Sequence, residues 1–563
     1  MVRQFFKTST AILFRRQTTI ISAATIMMVL VLASRVLGLI RNRFLTHFFP
    51  LETLDAYTAA FVLPDFIANI LIVGALSVAF IPVFTSYLNS NKEKEAWKVA
   101  SSILNISLLF FAIITLVLLV YARPINETFV VPGFRDDPEK LSLTTDLTRV
   151  ILLAEFLLII GSFFTSVLQS FHRFIIPAIA PVLYNLGIII GIWWFRPHFG
   201  LIGVAFGVVL GAMLHVLIQL ILIKRFGFRY KLKFRFKDPG VLKIIKLSLP
   251  RAFGIGLAQA EWWVSVFLSS LLVKGSTATL RLAADIQNFP IGIFGVTLAT
   301  AAFPTLSAEI SGGKTADFKG TFLSTLHQIL YLTVPISVLF IVLRIPVVRI
   351  LLGSGAFDWS STVATAVTMS YFAVGVFAQS AFFLLIRAFY SLHDAITPLK
   401  VALVSLIFHA TVSALLVFGF AKNTANPAAF LGLASALTGV FNFIVLLTLL
   451  DRKVGGFDKA KLFLPMIKIF LSAALMGVLL YLPLHLRIGD VYIIDHIVDT
   501  TRAFNLLVLT SILFVFGLTI YGGLTWWLKS EELKIFFRLL PDLRRLQKFL
   551  VFEEKIEPGS PST

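Results

Sequence analysis

Residues 201–223 read LIGVAFGVVLGAMLHVLIQLILI, 23 positions without Asp, Glu, Lys or Arg. A helix rises 1.5 Å per residue, so about 20 such residues cross the hydrocarbon of a bilayer. The run is continuous and lacks the period-two alternation of an outer-membrane strand. Working outward, span-length apolar segments are expected at 20–40, 61–84, 99–121, 148–168, 175–194, 201–223, 249–273, 286–306, 328–347, 364–386, 398–420, 428–450, 463–483 and 504–527. Composition agrees. Of 563 residues, 58% are hydrophobic and 14% charged, against about 25% charged in soluble domains, and mean hydropathy is +0.91. The expected fold is an all-α integral membrane protein of about 14 transmembrane helices.

The chain has no Cys, which excludes disulfide scaffolds, Cys zinc sites and thiol nucleophiles. Arg3, Lys7, Arg15 and Arg16 precede the first apolar run, which ends in Ser34-Arg35-Val36-Leu37-Gly38 rather than a small-x-small cleavage site; it reads as a retained helix. Lys and Arg of the N-terminal segment, even-numbered loops and C-terminal tail outnumber those of the odd-numbered loops by more than two to one. The positive-inside rule then places both termini in the cytoplasm. Much of the net charge of +20 is this bias plus contact with anionic lipid. Lys224 to Lys246 hold nine cations and one Asp, and Tyr230 to Lys237 alternate aromatic or aliphatic with basic residues. Such alternation binds nucleic acid in some proteins; here an interfacial ribbon on anionic headgroups is the preferred reading, with no nucleic-acid partner. Residues 1–18 and 530–552 read as interfacial helices, and Pro558 to Thr563 as disordered.

Ile72 to Pro82 resembles Phe294 to Pro304, with Leu, Ala and Pro coinciding at an offset of 222. A second pair starts at Phe171 and Phe389, each leading to a proline, Pro177 and Pro398. Spans 1–6 and 7–12 therefore read as two related six-helix lobes of like orientation. The expected organisation is a basic N-terminal segment (1–18), an N-lobe (19–223), a basic linker (224–248), a C-lobe (249–450), two further spans (451–528) and an amphipathic tail (529–563). Two lobes imply a cavity and alternating access, hence a carrier. No Walker A sequence is present, so no ATP motor is built in. No HExxH, GxSxG or acidic metal motif occurs, which argues against an enzyme and a metal site.

Charges inside spans cost about 2.5–3.5 kcal/mol at mid-bilayer and are functional candidates. Arg35 lies in the first span and Arg41 just beyond it; each reads as a cavity cation or a snorkelling anchor. Asp55 precedes the second span, and Asp65 and Asn69 stand at i and i+4 within it, although Asp65 follows Pro64 and also fits a helix cap. Glu155 reads as a buried partner of a cation. Glu261 is near the middle of span seven with no Lys or Arg within nine residues, which fits either Na⁺ or H⁺ coupling or an ion pair with the other lobe. His215 and His409 read as helix–helix hydrogen-bonding groups.

Ser34 to Arg41, Leu54-Asp55-Ala56, Leu63-Pro64, Gly74-Ala75 with Ala79 to Pro82, Phe289 to Val296, and Arg387 to Asp394 with Thr397-Pro398 together resemble the MurJ (MviN) family of lipid II flippases. The resemblance implies the fourteen-helix fold of the multidrug/oligosaccharidyl-lipid/polysaccharide exporter superfamily and a cationic central cavity. It also implies movement of undecaprenyl-linked peptidoglycan precursor to the outer leaflet of the bacterial cytoplasmic membrane. Arg35, Arg41 and Asp55 stand where the family keeps charges. The chain departs at Asn42, at Ala68 and Asn69, at Val73, and at Asp285, with Arg281 one turn earlier. The expected substrate-binding set is Arg35, Arg41, Asp55, Asp65, Asn69, Arg281 and Asp285, with Glu261 for ion coupling. No cofactor is expected beyond Na⁺, H⁺ or membrane potential as the energy source. A drug or polysaccharide-lipid exporter and a scaffold for wall-synthesis proteins remain alternatives.

The orientation is tested by reporter fusions: those after Lys237 and Thr563 are expected to read inside and one near Asp137 outside. An outside reading at Lys237 would overturn it.

Overall fold

The computed structural model describes residues 20–71, 80–224, 228, 230–421, 424–485, 487–488, 491–492 and 503–534. The expected interfacial helix 1–18, the repeat positions 72–79 with Val73, and the tail beyond 534 lie outside the described residues. In the first half α1 (Ile20–Phe48) leads to α2 (Leu51–Ala60), α3 (Val62–Leu71), α4 (Phe80–Asn89), α5 (Glu93–Ile125), α6 (Pro138–Ser170), α7 (Ile175–Ile190) and α8 (Arg196–Ile223). The second half holds α9 (Pro239–Ser270), α10 (Ser276–Pro290), α11 (Thr297–Ser311), α12 (Thr315–Val342), the short α13 (Arg344–Leu352), α14 (Trp359–Ala373), α15 (Val376–Ser391), α16 (Ile396–Gly419) and α17 (Ala428–Lys453). Then come α18 (Lys459–His485) and α19 (Ala503–Trp527), joined through a two-residue antiparallel pairing of Arg487–Ile488 with Val491–Tyr492.

The protein is an all-helical, multi-span membrane protein. Among the described residues nine helices are long and apolar enough to cross a membrane, or ten if α14 and α15, bent by 45°, form one span. The other expected positions carry helix too. They are α1, the pieces α3 and α4 flanking 72–79, α9, and the doubled run Ile175–Ile223. That run counts once but folds back on itself. Gly200 adopts φ 57°, and the chain reverses there. A Cβ on Gly187 would stand 2.3 Å from the Gly211 Cα, and one on Gly191 2.4 Å from the Gly207 Cα. The contact sums are constant, the signature of an antiparallel hairpin. In lipid, apolar side chains bring no net gain from leaving water, so backbone approach through small residues holds such pairs.

The apolar interior falls into three clusters: one among α2–α9, one among α11–α19, and one in which Leu45, Leu51 and Leu54 meet Leu280, Ile286, Met369 and Leu431 across the two halves. The last two helices dock on the second half. The Tyr521 hydroxyl donates to the Tyr331 carbonyl at 3.1 Å, and the Tyr331 hydroxyl meets Thr525 Oγ1 at 3.1 Å.

The repeat is visible in the backbone. His172 and His393 share φ of 56° and 57°, and Asn91 and Gly313 are both left-handed. Ser170 to Pro177 and Ser391 to Pro398 thus align at one offset of 221, with Ser, His, Ile and Pro identical. Phe171 pairs with Leu392, not with Phe389 as the apolar pattern alone suggested. The stretch expected as the first loop is also largely helical: Arg41, Asn42 and Arg43 belong to α1.

Candidate functional site

Between the halves lies a cavity of about 530 Å³ lined by Arg35, Arg41 and Asn42 of α1, Asn185 of α7, and Arg281 and Asp285 of α10. It reaches Gln169 and Phe174, near the loop that follows α6. A second cavity of about 340 Å³ shares Arg41, Asn42, Arg281 and Asp285 and adds Tyr57, Asp65, Asn69, Glu155 and Tyr184. The polar face of α1 is the common wall. One helix turn separates Ser34 and Arg35 from Gly38, and another leads to Arg41 and Asn42, so one stripe carries every α1 contributor.

The guanidinium of Arg41 donates to Asn42 Oδ1 at 3.0 and 3.2 Å and to Asn185 Oδ1 at 3.1 Å. Its partners are neutral amides, so its charge is held in place without being cancelled. Asn42 Nδ2 donates to Asp285 Oδ2 at 2.9 Å, and Arg281 Nε donates to Asp285 Oδ1 at 3.1 Å. Asn42 thus links α1 to α10. Arg35 has no ion pair among the described residues, and its guanidinium faces Gly292. An unpaired, exposed guanidinium in a cavity is suited to a bidentate phosphate contact. Asn69 does not meet the Asp65 carboxylate; its amide donates to the Asp65 backbone carbonyl at 2.8 Å. Among the described residues Glu155 meets no cation, contrary to expectation. Its carboxyl faces that of Asp65 within hydrogen-bond reach.

Asp55 leaves the expected set. It lines neither cavity and is 1% exposed. Its carboxylate accepts the backbone N–H groups of Gly275 at 2.6 Å and Ala278 at 2.8 Å, and the Lys140 ammonium at 2.6 Å. It therefore clasps α2 and α6 to the N-terminus of α10, where unsatisfied N–H groups and the helix dipole favour an anion. Beside it Lys274 donates to Asp137 at 2.8 Å, and that contact holds the Asp137 carboxyl below the usual carboxylate range. These contacts tie the two halves together beside Leu54, Thr58 and Ala278, which line the second cavity.

Glu261 stands apart from the cavities. Ser405 of α16 donates to its Oε1 at 2.7 Å, and Asn442 of α17 donates to Ser405 at 2.9 Å. One turn along α9, Ser265 meets His409 Nε2 at 2.9 Å, and His409 Nδ1 meets Thr438 at 3.0 Å. His409 thus joins three helices as expected. Glu261 has no ion pair with a Lys or Arg among the described residues, and Asn442 Oδ1 is buried without a donor. No group of three His, Asp or Glu suited to a metal occurs among the described residues.

Sequence reasoning missed Asn42, Asn185, Tyr57, Tyr184 and Lys140 as participants. The amides and phenols sit in helices where composition gives them no distinction. Lys140 was hidden because its partner lies 85 positions away.

A family model described as "Lipid II flippase MurJ" matches residues 44–496. The probable lipid II flippase MurJ of Buchnera aphidicola from Acyrthosiphon pisum is 29% identical over 459 residues, 81% of this chain and 88% of the relative. That of Thermotoga maritima is 29% identical over 453 residues, 80% and 88%. A solved lipid II flippase MurJ in an inward closed conformation has a TM-score of 0.72 at 22% identity, covering 91% of this chain and 99% of that one. An inward-facing MATE-family multidrug transporter of the MOP superfamily has a TM-score of 0.62 at 13% identity, covering 75% and 94%.

The Asp55 clasp is testable because the chain has no Cys. Asp55→Asn leaves Lys140 buried without its counter-charge, a loss of roughly 3–5 kcal/mol. A cysteine placed at Thr58 is expected to react with an impermeant maleimide at least tenfold faster in the Asp55→Asn background. Unchanged labelling would show that the clasp does not hold this end shut.

Proposed function

The chain belongs to the lipid II flippase MurJ family, and from that premise we propose that its central cavity carries the lipid II headgroup between leaflets by alternating access. It is a transporter and not an enzyme. The observation that carries the reading is the shared wall of Arg41, Asn42, Arg281 and Asp285, contributed by both halves of the chain. A site made from both halves is remade whenever they rock. The headgroup bears a diphosphate, sugars and a peptide, and exposing it to hydrocarbon would leave many polar groups without partners. Arg35 and Arg41 hold the diphosphate through charge-assisted hydrogen bonds. Arg281, which shares both cavities with Arg41, completes the diphosphate site, and Asp65, Asn69 and Asp285 meet the remaining polar groups while the prenyl chain stays in lipid.

The membrane is the bacterial cytoplasmic membrane, with both termini inside. The closed Asp55 end then faces outward and the end near Phe174 faces the cytoplasm, which suits loading from the inner leaflet. The segment 230–238 supports the same orientation. Asn105 of α5 donates to the carbonyls of Lys231 and Lys233 at 2.8 and 3.0 Å, leaving Leu232, Phe234 and Phe236 exposed for an anionic lipid surface. Contacts with wall-synthesis proteins are compatible with this placement.

Glu261 is the proposed coupling site. A carboxylate with a hydroxyl donor and a buried amide oxygen lacking a donor, but with no basic partner, accommodates a monovalent cation or a proton. Each charge moved across the membrane contributes about 2.3 kcal/mol per 100 mV. A polysaccharide-lipid or drug exporter is the second reading, favoured by the three cavity carboxyls Asp65, Glu155 and Asp285.

Rescue of a bacterium conditionally lacking its lipid II flippase decides between them, and failure of the wild-type chain to rescue would favour the exporter. Arg35→Ala and Arg41→Ala are each expected to abolish rescue while the protein still reaches the membrane. Losing one such contact costs roughly 1.5–3 kcal/mol, about 10- to 150-fold in affinity. Full rescue by both would reduce these arginines to anchors. Glu261→Gln is expected to keep its melting temperature in detergent but to lose the Na⁺ or pH dependence of flipping in liposomes. A stable variant with unchanged dependence would eliminate the coupling role.

A further inference from the structure

The second cavity contains three carboxyls and two guanidiniums. Arg281 is engaged with Asp285, and Arg41 is engaged with the amides of Asn42 and Asn185. Asp65 and Glu155 are left to each other, and Glu155 is 4% exposed. Neither carboxylate accepts from a Lys, Arg, amide or hydroxyl among the described residues. Two ionised carboxylates only accept hydrogen bonds, so they cannot bond to each other; one proton held between them makes a donor and an acceptor. Like charges at this separation do not both stay ionised.

We propose that Asp65 and Glu155 form a proton-binding site in the wall of the cavity, with an occupancy linked to an anionic ligand through Arg281. This rests on the flippase reading for the identity of the anion but not for the proton. The pair is faced by Arg41 of α1, Tyr57 of α2, Asn69 of α3, Ser162 of α6, Tyr184 of α7, and Arg281 and Asp285 of α10. Arg281 is the pivot. It lies close enough to Asp65 to stabilise its anion, while its Nε is committed to Asp285. A diphosphate that engages Arg281 brings negative charge beside the pair and withdraws the guanidinium's field from Asp65. Both effects favour a further proton on the carboxyls. By linkage, protonation of the pair tightens anion binding by the same factor. The proton arrives from water in the cavity and no covalent bond changes. Among the described residues Glu261 is no counterpart of the pair: it accepts from the Ser405 hydroxyl, which in turn accepts from the Asn442 amide, and not from a second carboxyl.

Infrared difference spectroscopy on the full chain in liposomes reads the proton directly, without substrate. The wild type at neutral pH is expected to show a carboxylic-acid C=O band that shifts in deuterium oxide. Asp65→Asn and Glu155→Gln are each expected to remove it, and Glu261→Gln to leave it. Adding inorganic diphosphate is expected to increase the wild-type band and to have no effect in the two pair variants. Absence of an acid band in the wild type would overturn the proposal whether or not any variant folds. Persistence of the band in both pair variants would do the same. Displacement of the band by methylammonium would mean that the pair is an ammonium site instead. A wild-type band that ignores diphosphate would overturn the linkage. Failure of the flippase reading shows separately, as loss of rescue with the band intact.

Discussion

The Asp55 carboxylate is the contact on which the arrangement depends. It is buried, yet it is met by a lysine and by two N–H groups at the start of α10. Gly275 makes this possible. Its φ of 89° turns the chain so that its own N–H and that of Ala278 converge on one anion. A charge buried this deeply persists only when its partners come close to replacing its hydration. Those partners lie on α6 in the first half and α10 in the second, so the charge is satisfied only while the halves are together at this end. Separation must expose Asp55 to water or to a competing donor, which makes the closed state discrete.

With that end shut, the remaining polar groups are arranged by the same economy. In hydrocarbon a polar side chain turns inward or finds a partner. Arg41, Asn42, Asn185, Arg281 and Asp285 do both, forming a chain of hydrogen bonds from α7 through α1 to α10. That chain uses neutral amides beside Arg41, so the first cavity, with Arg35, Arg41 and Arg281 against the single acid Asp285, attracts anions while each donor stays oriented. Had Asp285 paired with Arg41, the site would be more stable and less able to bind.

The sequence made the membrane class legible because span-length apolar runs need no tertiary knowledge. It also made legible the internal repeat and singled out Arg35, Arg41, Arg281 and Asp285, which line one cavity. Asp55 was placed among the substrate-binding residues, and its contacts with Lys140, Gly275 and Ala278 stayed hidden because those partners are distant in sequence. Glu155 was assigned a cation that is absent among the described residues. A lone acid in an apolar run declares a cost but not the partner that relieves it. Helix periodicity placed Asp65 and Asn69 on one face but did not specify their contact, because an asparagine amide reaches the preceding turn's carbonyl as readily as a side chain.

The repeat shows how one backbone plan carries two chemistries. The turns at His172 and His393 share their left-handed geometry. Yet Asp394 in the second half caps α16 and accepts from Lys453 at 2.5 Å, and these bonds draw its carboxyl down to about 2 despite its partial burial. The equivalent residue in the first half is Arg173, of opposite charge. The membrane-embedded acids diverge likewise: a carboxyl pair at Asp65 and Glu155 in the first half, and a single carboxylate amid hydroxyls and amides at Glu261 in the second. Under the proposed coupling, this difference in buried acids would let protons and cations act on the halves unequally, and such a difference in ligand affinity between states is what gives a two-state motion a direction.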